Sequence, residues 1–245
     1  MRTDFPAPGL EPRLAATIVD VTRQLARSLP VPRAAPYFFL DSGVVYDLRV
    51  FDGLSERGIF RKYEFVLDVG CGMGGRSRWL ARRMSCQILG VDSSLGAVQA
   101  ARTLNQRAHM EAQVMFEVAQ LDRLPLRERV FTHVWVLDPP AAGMTPAALA
   151  EAFRVLRRGG YFALQCRRPP GEPGADLLHG LRAVGFVELE THEVPASDPP
   201  DVCRIARERW RSTVRARPDG AALLAWMDGA VASAPQFQVF GRRPA

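Results

Sequence analysis

Residues 65–75 read Phe65-Val66-Leu67-Asp68-Val69-Gly70-Cys71-Gly72-Met73-Gly74-Gly75. The first five are apolar except for Asp68, which predicts a buried strand. The glycines that follow predict a tight turn in which a ligand can approach the backbone closely. Residues 76–83 then read as a helix, whose free N–H groups point toward whatever binds over the loop. The stretch therefore predicts a strand, a ligand-binding loop and a helix.

The spacing Gly70-x-Gly72-x-x-Gly75 also fits the general dinucleotide-binding pattern, which several nucleotide ligands share. Asp68 distinguishes between these ligands, because its carboxylate would repel a pyrophosphate and attract an ammonium group. S-adenosylmethionine (SAM) carries an α-amino group and a sulfonium but no phosphate. The stretch therefore fits SAM better than a dinucleotide.

Residues 67–75 resemble motif I of class I SAM-dependent methyltransferases, and most closely the branch that includes the quinone and sterol methyltransferases. The resemblance is specific over residues 64–165 and rests on the order of elements over 176–242. It implies an α/β fold: a Rossmann-like, doubly wound sheet of seven mostly parallel strands, with an antiparallel last strand. It also implies an enzyme that moves a methyl group from its cofactor SAM to a small-molecule acceptor.

Composition limits the classes of function. The chain has 245 residues, 47% of them hydrophobic, which suits one α/β domain with additions. Residues 1–10 lack the apolar segment of a signal peptide, and no apolar run approaches the ~20 residues that span a membrane, so we expect a cytoplasmic protein. The cysteines and histidines show no zinc-ligand spacing, so we expect no metal site. The net charge of +6 comes from arginines spread along the chain, which favours a solvated basic surface over a nucleic-acid site.

A second acidic residue, Asp92, follows the next predicted strand, Gln87–Val91. An acid at this point holds a ribose diol, because one carboxylate can accept from both hydroxyls. Asp92 matches motif II of the family, and Ser94 is the predicted N-cap of the following helix. Further strands are predicted at Val114–Val118 and Val130–Leu137.

The resemblance places Gln120 where the family commonly has an acid that contacts the adenine amino group, with Asp122 as the alternative. A glutamine carbonyl can accept the same hydrogen bond. The residues that we predict to contact the cofactor are Asp68, Gly70, Cys71, Gly72, Gly74, Asp92, Ser93, Gln120, Leu121 and Leu137.

Asp138 is the catalytic candidate, because ligands of open α/β sheets bind beyond the carboxyl ends of the strands. It could accept a proton, or orient a hydroxyl or amine of the substrate. Asp138-Pro139-Pro140 also resembles motif IV of methyltransferases that act on nucleic-acid bases or glutamine amides, but the aromatic residue that follows it there is missing. An RNA or DNA base methyltransferase is therefore one alternative, and a non-catalytic SAM-fold binding protein is another.

The second half of the chain resembles the family in structural features. Thr145 is the predicted N-cap of a helix with Pro146 at its first position. Residues 151–160 resemble the family's Glu-x-x-Arg-Val-Leu-x-x-Gly-Gly block, in which the glycines end the helix before a strand at Tyr161–Cys166. A helix, a strand and an antiparallel strand are then predicted at Asp176–Val184, Phe186–Val194 and Gln236–Phe240.

The segments outside this core suggest an enclosed site. We predict one domain over residues 1–245, made of an N-terminal lid segment at 1–60, a core at 61–193 and 234–245, and a helical cap insertion at 194–233. Tyr37, Phe38 and Tyr46 are the lid candidates, with packing on the edge of the core as the alternative. The late helices either enclose a substrate or form a homodimer contact.

Overall fold

The computed structural model describes residues 12–28, 64–137, 144–167, 174–194, 201–222, 224 and 236–245. Within these residues, seven strands form one sheet: β1 (Phe65–Val69), β2 (Gln87–Asp92), β3 (Val114–Val118), β4 (Phe131–Leu137), β5 (Leu156–Arg167), β6 (Val187–Val194) and β7 (Gln236–Arg242). Their order is β3-β2-β1-β4-β5-β7-β6. No helix in these ranges is long and apolar enough to cross a membrane.

The sheet is mostly parallel, as predicted. β1 pairs in parallel with β2 and β4, and the outer pairs β2–β3 and β4–β5 are parallel too. β7 runs antiparallel to both of its neighbours, β5 and β6. The predicted antiparallel last strand is therefore confirmed, but it lies between two strands rather than at the edge of the sheet.

The described helices are α1 (Pro12–Ser28), α2 (Gly75–Met84), α3 (Leu95–Ala108), α4 (Pro146–Val155), α5 (Gly174–Val184) and α6 (Asp201–Arg215). The two predicted N-caps are confirmed. The Ser94 hydroxyl accepts from the Ala97 N–H at 3.3 Å, and the Thr145 hydroxyl accepts from the Ala148 N–H at 3.2 Å. These hydroxyls satisfy N–H groups that have no partner within their helices.

The glycine pair at 159–160 differs from the prediction. We expected it to end the helix and precede a strand at Tyr161, but α4 ends at Val155 and β5 already begins at Leu156. The pair lies within β5, where its pairing with β4 shifts in register. Gly159 has a φ of +69°, and a Cβ on Gly160 would come within 2.9 Å of the Thr132 carbonyl. The glycines therefore permit an irregularity inside the strand.

Apolar side chains cover both faces of the sheet. On one face, Leu149 and Val155 of α4 and Leu181 of α5 pack with Leu67 of β1 and Phe162 of β5. The members of the cluster on the other face come from α2, α3 and the alternate strand positions: Leu80, Ala81, Val98, Ala101, Val66, Ile88 and Trp135. The alternation along each strand places α2 and α3 on the face opposite α4 and α5.

α1 and α6 pack together outside α3. Ile18 and Val21 of α1 form a buried cluster with Trp210 of α6 and Leu104 of α3. Met73 of the glycine loop belongs to the same cluster. Polar contacts link the two segments further: Thr17 donates to Asp219, and Arg217 donates to Asp20 at 3.0 Å. The described parts of the N-terminal segment and the predicted cap therefore contact each other. The domain boundaries and the homodimer contact stay predictions.

Candidate active site

The glycine loop is bonded to the end of β2. The N–H groups of Gly70 and Cys71 both donate to the Val91 carbonyl, at 2.8 and 3.0 Å. Gly70, Gly72 and Gly74 have φ values of +70°, +55° and +75°. This left-handed backbone is costly for residues with a Cβ, so the glycine-rich sequence permits the turn.

Gly74 also leaves room for a neighbouring ring. A Cβ at this position would lie 2.2 Å from the Phe116 ring of β3, and a Cβ on Gly90 of β2 would lie 2.6 Å from the same ring. Phe116 is buried. The ring therefore fills space that two glycines vacate, and this packing holds the loop close to β2 and β3.

Asp92 fixes the loop from the other side. One oxygen of its carboxylate accepts from the Gly72 N–H at 2.9 Å, and the other accepts from the Ser94 N–H at 2.8 Å. The residue is only partly buried, and each carboxylate oxygen can accept a further hydrogen bond. Asp92 thus presents a positioned anionic acceptor beside the glycine loop. Its predicted contact with a ribose stays a prediction.

Asp68 has a different environment from the one that we expected. Its side chain is 1% exposed, and its carboxylate forms an ion pair with Arg76 at 2.7 Å. The Arg76 Nε–H donates to both carboxylate oxygens, at 2.9 and 3.1 Å, and the Ser77 hydroxyl also donates to Asp68. The carboxylate is therefore neutralised by a residue of the chain itself. Contrary to the prediction, Asp68 paired in this way does not favour an ammonium over a pyrophosphate.

Arg76 joins three parts of the site. Besides Asp68, its guanidinium donates to the carbonyl of Gly70 at 2.9 Å and to the carbonyl of Leu137, the last residue of β4, at 2.9 Å. The glycine motif alone does not identify this residue. The signal that could have identified Arg76 is its position. It is a basic residue in the first turn of α2, and a buried acid precedes it in β1, on the other side of the glycine loop.

Part of the chain is similar to known proteins. Residues 66–160 match the family described as methyltransferase domain. The sterol 24-C-methyltransferase of Kluyveromyces lactis is 27% identical over 112 residues, which are 45% of this chain and 30% of that protein. Residues 66–160 are therefore similar to a methyltransferase domain. The chain spans about a third of the length of this relative.

Solved structures share the fold of this methyltransferase domain. The crystal structure of the [4+2]-cyclase SpnF covers all of both chains, with a TM-score of 0.62 and 20% identity. Phosphoethanolamine N-methyltransferase 2 of Haemonchus contortus, solved in complex with SAM, has a TM-score of 0.65 and 16% identity. That match covers 93% of this chain and 57% of the other. At these identities the likeness shows the fold.

The loop after β3 is held by two residues of the block at 151–160, Glu151 and Arg154. Glu151 of α4 accepts from the Leu124 N–H at 2.8 Å, and Arg154 donates to the Leu126 carbonyl at 2.8 Å. Hydrogen bonding from Arg154 lowers the pKa of the Glu151 carboxyl, so this ion pair is charged at neutral pH. The block therefore has a structural role here: it fixes the loop that begins next to Asp92, where the Ala119 N–H donates to the Asp92 carbonyl at 3.0 Å.

The remaining predicted site residues are distributed as follows. Cys71 and Leu137 are buried, Leu121 is half-buried, and Ser93, Gln120 and Asp122 are exposed. The structure brings Asp68, Asp92 and the glycine loop together at the carboxyl ends of β1 and β2. The predicted roles of these side chains toward a cofactor stay predictions. Asp138 and the lid candidates Tyr37, Phe38 and Tyr46 lie outside the described residues.

Proposed function

We propose that this chain transfers a methyl group from SAM to a small-molecule acceptor. The observation that carries the proposal is the glycine loop bonded to Asp92 within a methyltransferase-family domain. The curated relative acts on a sterol by its name, and the SAM-bound structural neighbour acts on phosphoethanolamine by its title. Both acceptors are small molecules, which supports the same class for this chain.

The residues present fit the nucleoside part of SAM. Asp92 offers a carboxylate with spare acceptor capacity, and the loop beside it is built from glycines that let a ligand approach the backbone. When bound, SAM supplies a methyl group that is attached to a positively charged sulfur. This sulfur is an activated leaving group. The chain then needs to hold the acceptor in line with that methyl group and to exclude water.

Proton transfer depends on the acceptor. An acceptor hydroxyl or amine must lose a proton as the new bond forms, whereas other nucleophiles need no base. We propose Asp138, directly after β4, as the group that takes this proton or orients the acceptor. Asp138→Asn should then lower kcat and leave the affinity for S-adenosylhomocysteine unchanged. Full turnover in this variant would remove Asp138 from the mechanism.

A labelled-methyl experiment tests the proposed function. Purified chain is first titrated with S-adenosylhomocysteine by calorimetry, with NADH as the comparison ligand. SAM with a tritiated methyl group is then added with cell extract, and the extract is separated into small-molecule, RNA and protein fractions. Label in the small-molecule fraction that is lost in Asp92→Ala supports the proposal. A cytoplasmic location stays a prediction, with which the buried thiols of Cys71 and Cys86 agree.

The other outcomes separate the alternatives. Label in RNA would show that the acceptor is a nucleic acid and not a small molecule. The Asp138-Pro139-Pro140 segment would then be the expected centre of the acceptor site. Binding of S-adenosylhomocysteine without label in any fraction would favour a non-catalytic binding protein. Binding of NADH and not of S-adenosylhomocysteine would overturn the proposal that SAM is the cofactor.

A further inference from the structure

Among the described residues, β3 forms one edge of the sheet, and its pairing with β2 is regular over its whole length. The Gln113 carbonyl accepts from the Ile88 N–H at 2.9 Å, so it points toward β2. Carbonyls alternate in direction along a strand, and those of Val114 and Phe116 therefore point away from the sheet. Outward groups of this kind are a template on which another chain can add a strand.

Side chains of α3 cover both outward carbonyls. The side-chain N–H of Asn105 donates to the Val114 carbonyl at 2.8 Å, and the Arg102 Nε–H donates to the Phe116 carbonyl at 2.9 Å. A second guanidinium nitrogen of Arg102 pairs with Glu117 at 2.8 Å, which holds the side chain against the strand. Both carbonyls are therefore satisfied within the chain and are not open to an added strand.

The two covering side chains differ in burial. Asn105 is buried, and it closes the start of β3 together with the Met110 carbonyl, which accepts from the Val114 N–H at 2.9 Å. The Arg102 side chain is 48% exposed and reaches the edge from the surface. Removing the Arg102 side chain therefore opens the edge without creating a cavity in the core.

The opposite edge of the sheet, β6, is protected in another way. The pairing of β6 with β7 is irregular near Glu188, and the strand carries further carboxylates at Glu190 and Glu193. Irregular pairing and charged side chains both disfavour strand addition. β3 has a regular pairing, and its one charged residue, Glu117, is paired with Arg102. The β3 edge therefore depends on α3 for its protection.

The exposed side chains at β3 would favour association if this cover were absent. Met115 is 51% exposed and Val118 is 43% exposed, and both are apolar. We propose that Arg102 and Asn105 close the free edge of the sheet, and that without them a second copy of this chain adds its own β3 there. This inference concerns assembly and does not rest on the proposed function.

Removing the surface cover tests the inference. Arg102→Ala frees the Phe116 carbonyl, and in a two-fold pair of edges each copy contributes one freed carbonyl. Sedimentation velocity over a concentration series should show self-association at least about tenfold stronger than in the unmodified chain. Arg107→Ala removes an equal charge from an exposed position of the same helix and should match the unmodified chain. Equal self-association in Arg102→Ala and Arg107→Ala would overturn the inference.

A second substitution locates the contact. Met115→Lys places a charge on the exposed edge, where lysine disfavours strand addition. Combined with Arg102→Ala, it should return self-association to the level of the unmodified chain. Stronger association that persists in the double variant would place the contact on another surface and overturn the inference. Both substituted side chains lie at the surface, and thermal unfolding checks that each variant is folded.

Discussion

One buried histidine sets a pH dependence of stability. His133 lies in β4 beside the ring of Tyr161, and burial lowers its pKa from 6.5 to about 3. Between these values the unfolded chain binds a proton that the folded chain does not, so the free energy of unfolding falls as pH falls below about 6.5. By pH 5 the loss should reach about 2 kcal/mol. Urea unfolding at pH 7.5 and 5.0 measures it, with His133→Gln as the control that should flatten the dependence. Equal losses in both proteins would contradict this origin.

Alanine substitutions at Gly70 and Gly74 distinguish the effect of backbone strain from the effect of steric overlap in the loop. Both have positive φ, but a Cβ at Gly70 meets nothing within 4 Å, whereas at Gly74 it meets the Phe116 ring. Gly70→Ala should cost about 1–2 kcal/mol of stability through strain. Gly74→Ala should cost more, because Phe116 or the loop must also move. Denaturant unfolding of both variants measures the two losses in the free energy of unfolding. Equal losses would show that the Phe116 ring does not restrict residue 74. Phe116→Leu should relieve Gly74→Ala specifically.

At the scale of elements, Trp210 attaches α6 to the rest of the chain. Its side chain is fully buried against α1, α3 and Met73. Trp210→Ala should reduce the free energy of unfolding by about 3–5 kcal/mol, the usual cost of removing a buried aromatic ring. Ser212→Ala, an exposed position on the same helix, is the matched control and should change stability by less than about 0.5 kcal/mol. Chemical denaturation checks both, and a small loss in Trp210→Ala would indicate that α6 contributes little to the fold.

Elements with local signals were predictable from the sequence. The Ser94 and Thr145 caps, the mostly apolar β4 and the glycine loop each depend on residues a few positions apart. Features that depend on distant residues were not predictable. The irregularity within β5 depends on the Thr132 carbonyl of the neighbouring strand. The position of β7 between β5 and β6 depends on pairings between segments that are far apart in the sequence.

The same distinction between local and distant signals applies to the candidate site. The motif predicted that Asp68 and Asp92 belong to the site. The rule for open α/β sheets predicted that they lie at strand ends. The charge state of the site did not follow, because it depends on which partner reaches Asp68 in three dimensions. A motif identifies the acid but not the Arg76 guanidinium that pairs with it.

At the scale of the whole molecule, the glycine loop connects the ligand site to the outer helices. Gly72 donates to Asp92 on one side of the loop, and the next residue, Met73, packs with α1 and α6 on the other. A ligand that orders the loop should therefore also stabilise these two helices, although they lie outside the layer formed by α3.

Hydrogen exchange detected by mass spectrometry tests this connection. Saturation with S-adenosylhomocysteine should slow amide exchange at residues 70–75, and also in α1 and α6, because local opening of these helices requires their separation from Met73. α5 packs on the opposite face of the sheet and serves as the internal control, with little change expected. In Trp210→Ala the loop should still gain protection while α1 and α6 lose the effect. Protection confined to the loop in the unmodified chain would show that α1 and α6 open independently of the ligand site.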